Sequence, residues 1–166
     1  GNITNNPQFV SESDYQLLSA SPCIDAGNNA YMPTGADFDG TPRPLDGDFD
    51  GTNTVDIGAY EYDSVTTDSD GDQASDYEEH VADTDPANPN DTFQINAISN
   101  ASPVSVYFES SSNRWYTMAG CSNLLDGTWT NVPGAGPRVG VGGSDLLQDT
   151  NVPVRGPFYR LEVELP

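Results

Sequence analysis

FYRLEVEL, residues 158–165, alternates without interruption: Tyr159, Leu161, Val163 and Leu165 fall on one face, and Arg160, Glu162 and Glu164 on the other. A period of two marks a strand with one buried and one wet face. Further apolar alternation precedes it in FQINAI, VSVYF, NRWYTMA and GTWTNV, so residues 93–166 are read as a small antiparallel β-sandwich. In NRWYTMA the same alternation sends Trp115 and Tyr116 to opposite sides, one into the core and one to solvent. Working back along the chain, 16 Gly and 13 Pro with no long helical periodicity make the whole β- and turn-rich. The fold class expected is all-β.

The charge is extreme. There are 26 acidic residues against 5 basic ones, a formal net charge of −21, and every basic residue is Arg. Nucleic acid and anionic lipid both require a basic patch, so neither is an expected partner. Without Lys there is no Schiff-base chemistry and no phosphate-loop lysine. No apolar run approaches the roughly 20 residues of a membrane span, so membrane insertion is not expected. Of the acids, 19 are Asp, whose short side chain suits turns and tight oxygen cages. A chain so charged resists compaction unless cations neutralise part of it.

Texture divides the chain into 1–62, 63–92 and 93–166. The middle zone holds the strongest chemistry, DSDGDQASDYEE at 68–79. Asp68, Asp70 and Asp72 stand at positions 1, 3 and 5 of a calcium loop, with the Ala74 carbonyl at 7, Asp76 at 9 and Glu79 at 12. Gln73 replaces the usual Gly of position 6, and Gly71 sits at position 4. A second, weaker candidate is DGDFDGTNTVD at 46–56, where Asp46, Asp48 and Asp50 repeat the alternation and Asp56 follows, but Ile57 occupies position 12. His80 reads as a surface residue of a short helix after the loop. One His and two distant Cys build no zinc site, and Cys23 and Cys121 are read as buried free thiols. The cofactor expected is Ca2+.

Three resemblances extend this reading. The continuation YEEHVADTDPANPNDT makes residues 66–92 resemble a bacterial thrombospondin type-3 repeat, an acidic calcium loop leading into a short helix and a TDP turn. That resemblance implies Asp83 or Asp85 as oxygens for a second ion. NNPQFVSESDYQLLSASPCIDAGN followed by DFDGTPRPLDGDFDGTNTVDIGAYEY resembles the closing segment of secreted right-handed parallel β-helix proteins of choice-of-anchor type. It implies a terminal solenoid-like segment, with Phe9, Val10, Leu17, Leu18 and Ile24 pointing inward and an open edge available for self-association. NRWYTMAGCSNLLDGTWTNV with the final FYRLEV resembles small C-terminal β-sandwiches of large secreted bacterial proteins, which implies an accessory or attachment role.

The expectation is therefore a non-catalytic, calcium-binding accessory region of a secreted or surface protein, with polysaccharide as partner. Trp115, Tyr116 and Trp129 are the candidate sugar-stacking residues, although Trp129 is weighed towards the core. The loop GAGPRVGVGGSD, 134–145, is read as a connection. The alternatives are a structural spacer, or a fragment of a β-helix polysaccharide lyase or hydrolase. No Gly-x-Ser-x-Gly and no nucleophile–His arrangement supports the last.

Overall fold

A computed structural model describes residues 3–32, 35–99, 101–125, 127–151 and 158–166. The chain divides into two compact units, Gly1–Glu78 with Pro86–Asn90, and Glu79–Asp85 with Asp91–Pro166. The acidic middle zone is thus shared between them. No helix among the described residues is long and apolar enough to cross a membrane.

The second unit holds the alternating runs. Strands β5 (Ile95–Ser99), β6 (Val104–Ser110) and β10 (Gly143–Asp149) form one antiparallel sheet in the order β10-β6-β5. A second antiparallel sheet joins β11 (Phe158–Glu164) to β7 (Trp115–Cys121). Two short strands, β8 (Thr130–Asn131) and β9 (Arg138–Val139), pair with successive parts of β7. Both sheets turn apolar side chains to one core: Val106, Phe108 and Leu147 from the first, and Tyr116 and Met118 from the second, with Tyr159, Leu161 and Val163 packed against them. Phe93, Phe108 and Tyr116 form an aromatic cluster with centroids 5.1 to 6.2 Å apart. The Tyr116 hydroxyl accepts a hydrogen bond from the Ser111 N–H at 2.8 Å, so its polar end is satisfied indoors.

One strand escaped the reading of periodicity. The segment 134–145, expected to be a connection, contains β9 and the start of β10. The inward positions of β10 are Gly143, Asp145, Leu147 and Asp149, so Leu147 alone is apolar and sizeable, and acids occupy two of the four places where alternation calls for apolar residues. Each acid has a partner. Arg138 donates to both Asp145 oxygens, through Nη1 at 3.0 Å and through Nη2, and the Tyr159 hydroxyl donates to Asp149 Oδ2 at 2.8 Å. Burial, followed by that bond to a carboxylate, pushes the Tyr159 phenol up to about 12.

The first unit has little ladder. β1 (Phe9–Ser11) pairs with β2 (Asp14–Leu17), and β3 (Gly35–Ala36) with β4 (Pro42–Arg43), both antiparallel. Stacked solenoid coils would require parallel ladders, and none occurs among the described residues; a solenoid is not shown. Phe9 and Val10, expected to point inward, are 36% and 49% exposed, and Phe9 packs edge-on against Tyr15. Leu17, Cys23 and Tyr62 form the small core that does exist, with Ile24 against it. Carboxylates do what strands do elsewhere. Asp25 accepts the N–H groups of Gly47, Asp48 and Thr54, and Asp37 those of Asp39, Thr41 and Glu61. Buried Glu61 pairs with Arg43 at 2.7 Å, whose Nη2 donates to the carbonyls of Asp56, Gly58 and Tyr60. Both cysteines are free and buried.

The one α-helix among the described residues, α1 (Asp76–Ala82), follows the acidic loop as expected. Its C-terminal carbonyls are capped from the second unit's own residues: Arg114, itself buried, donates to Val81 O at 2.9 Å and His80 O at 2.7 Å. A cation there suits the negative end of the helix.

Candidate metal centre

Alternate Asp residues on a tight loop converge because successive turns bring every second side chain back to one side. At residues 68–74 the loop is shaped by its own carboxylates. Asp68 accepts from the N–H groups of Gly71 at 2.7 Å and Gln73 at 3.0 Å. Asp70 accepts from Asp72, and Asp72 from Ala74. Gly71 and Gln73 both take left-handed backbone, φ +82 and +85. The chain therefore makes the sharp turn that a position-6 Gly usually serves, with a non-Gly residue in its place.

The result is one point of convergence: Asp68, Asp70 and Asp72 each offer a carboxylate oxygen, all within 4.8 Å of one another. Asp70 Oδ2 is shielded from solvent and has no hydrogen-bond partner in the protein. A shielded, unpartnered carboxylate oxygen is costly unless a cation meets it. Three anionic oxygens are hard donors, so the set suits a hard divalent ion.

The remaining predicted ligands of this loop lie outside that group. Asp76 is 1% exposed, and its oxygens are already taken by the Ser69 N–H at 2.9 Å, the Ser69 hydroxyl at 2.7 Å and the Tyr62 hydroxyl. It fastens the loop to the helix start rather than joining the trio, and burial raises its pKa. Glu79 is buried at 1% exposure and accepts from the Thr84 hydroxyl at 3.5 Å. Ala74 contributes its N–H to Asp72. Asp85 donates its N–H to Asp91 at 3.2 Å and stands outside both acidic groups.

The second acidic group is Asp25, Asp46 and Asp48, again within 4.8 Å. Of the residues expected here it keeps Asp46 and Asp48, and replaces the others by Asp25, from 21 residues upstream of Asp46. Asp50 instead accepts from the Thr52 N–H, two residues on, at 2.7 Å. Asp56 is buried, with Oδ1 accepting from Asp25 N–H at 2.7 Å and Oδ2 from Tyr62 N–H at 2.6 Å. Burial pushes its carboxyl up to about 7, the Asp25 N–H opposes that, and the Glu61 and Asp25 charges add to it. Asp25 was missed because it sits in SPCIDAG, outside any alternating acidic run. The local signal was slight, and only tertiary folding brings it to Asp46.

The aromatic candidates separate. Tyr116 is 1% exposed at the centre of the core, so its ring has no face for a sugar. Trp115, its neighbour on the opposite side of β7, is 37% exposed. Trp129 is half-buried, and the Arg160 guanidinium lies 4.7 Å over its ring. Comparison with protein-family models, with curated proteins and with solved structures found no match to this chain.

Proposed function

We propose that this chain is a non-catalytic accessory region of a secreted or cell-surface protein, and that calcium organises its acidic loops. The observation that carries the reading is the meeting of Asp68, Asp70 and Asp72 at one point, with Asp70 Oδ2 shielded and unpartnered. Calcium takes six to eight oxygens in flexible geometry, which fits a carboxylate loop with room for backbone carbonyls and water. The resemblance of residues 66–92 to thrombospondin type-3 repeats points the same way. An ion that binds only the folded loop stabilises it by mass action. The Asp25, Asp46 and Asp48 group is the weaker second position.

Asp56 and Glu61 are two buried carboxyls near each other, and both commit their oxygens to backbone N–H groups or Arg43. That supports a structural duty for them rather than acid–base catalysis.

The test is thermal unfolding and calorimetric titration with calcium. The wild-type chain should melt higher in calcium than in EDTA, and Asp70→Ala should lose most of that rise. An equal rise in the variant would refute the assignment to this loop.

Carbohydrate binding is a second reading, favoured by Trp115, which stands exposed on a sheet face instead of in the core. If it fails, a spacer role for the chain is what is left.

A further inference from the structure

The second sheet has two unlike faces. Tyr116 and Met118 of β7 and Tyr159, Leu161 and Val163 of β11 serve the core, so Trp115, Thr117 and Ala119, with Arg160, Glu162 and Glu164, occupy the outer face. The register places Glu164 and Val139 on either side of Trp115, Glu162 beside Thr117, and Arg160 beside Ala119. Arg160 carries Trp129 onto the same face, since its guanidinium stacks on that ring, and it also pairs with Glu162. The face therefore presents the exposed indole of Trp115 at one end, with Glu164 beside it, and then the Arg160–Glu162 pair, whose guanidinium covers the half-buried Trp129 ring. Thr117 and Ala119, which share that side of β7, are buried, so what the face offers is Trp115 together with the longer side chains of β11.

Charge selects the occupant. The sequence has no Lys, and each described Arg is already in an ion pair: Arg43 with Glu61, Arg114 with Asp83, Arg138 with Asp145 and Arg160 with Glu162. A chain of net charge −21 with its described guanidiniums paired repels polyanions. An indole instead offers a flat face to the C–H side of a pyranose, while a paired guanidinium and carboxylate keep donors and acceptors for hydroxyls. We infer that this outer face binds an uncharged polysaccharide, stacked on Trp115 and hydrogen-bonded at the exposed Arg160 and at Glu162. The inference rests on the carbohydrate reading above and names its site and substrate class.

The experiment is affinity electrophoresis of the whole chain against soluble xylan, β-glucan and galactomannan, in calcium and again in EDTA, with alginate as the polyanion in EDTA, since calcium gels it. Wild type, Trp115→Ala, Arg160→Gln and, as an exposed aromatic on β6 of the other sheet, Tyr107→Ala are compared, with near-ultraviolet circular dichroism and the calcium-dependent melt as fold controls. At least one neutral polymer should retard the wild type, and alginate should not. Trp115→Ala should weaken retardation by about tenfold or more, Arg160→Gln by less, and Tyr107→Ala not at all, all with the fold intact. Retardation unaffected by Trp115→Ala, or lost with Tyr107→Ala, would move the site elsewhere while leaving carbohydrate binding standing. Retardation by alginate alone would overturn the substrate class. No retardation by any polymer would remove the carbohydrate reading itself. Self-association that Trp115→Ala abolishes would reassign the face to a second copy of the chain.

Discussion

Gln73 shows how much one residue discloses. The 1-3-5 acids around it were legible because Asp at alternate places in a tight loop has few other uses. Its own place was the irregularity, a non-Gly residue where the loop turns hardest. The structure resolves this at a cost, since Gln73 adopts φ +85, a conformation that Gly takes without penalty. Gln73→Gly should therefore raise stability, by up to about 1 kcal/mol, read by urea unfolding in EDTA; a loss would mean that the Gln side chain contributes more than its backbone forfeits. Asp76 teaches the reverse lesson. Its position in the motif suggested a ligand, but Ser69 and Tyr62 already fill its oxygens. Spacing along a chain says nothing about which neighbours folding will supply.

Among elements, β11 and β10 form an instructive pair. β11 alternates cleanly, and its Tyr159, Leu161 and Val163 face the core as read from the sequence. β10 pairs with β6 over seven successive residues, yet its inward acids hid it. Those acids also set an acid limit on the second unit. Burial alone would raise the Asp145 carboxyl, but hydrogen bonds and charge from Arg138, with help from Ser110 and a backbone N–H, hold it below its ordinary 3.8. The folded state thus binds this proton less readily than the unfolded state does. Its contribution to stability is complete above that ordinary value and is lost as pH falls through the lowered one. Acid unfolding of the second unit should show this loss at the bottom of the carboxylate range, and Arg138→Gln should shift it upward in pH. An unchanged acid limb in the variant would show that the pair is energetically idle. The expected solenoid also belongs to this scale. Its apolar bursts are present, but antiparallel hairpins and carboxylate-to-backbone bonds hold them, and Phe9 and Val10 lie outside the core.

At the level of the molecule, the two units have separate cores of different kinds. The second is an aromatic and aliphatic cluster between sheets; the first is the small cluster of Leu17, Cys23 and Tyr62 within a web of Asp–backbone hydrogen bonds. Calcium should act on the first alone. Calorimetry is expected to show two transitions, with one moved upward by calcium and one indifferent to it; a single transition would mean that the units unfold together. Residue order alone conveyed the mostly β character, the acidic loop with its short helix, the opposite sides of Trp115 and Tyr116 on β7 and the buried face of β11, because each is a local period or a short-range spacing. It could not convey that Asp25 joins Asp46 and Asp48, that Tyr116 rather than Trp115 is buried, or that β10 pairs with β6 at the edge of the first sheet. Those outcomes depend on which distant groups meet and on which face of a strand has something to pack against, and only the three-dimensional packing decides that.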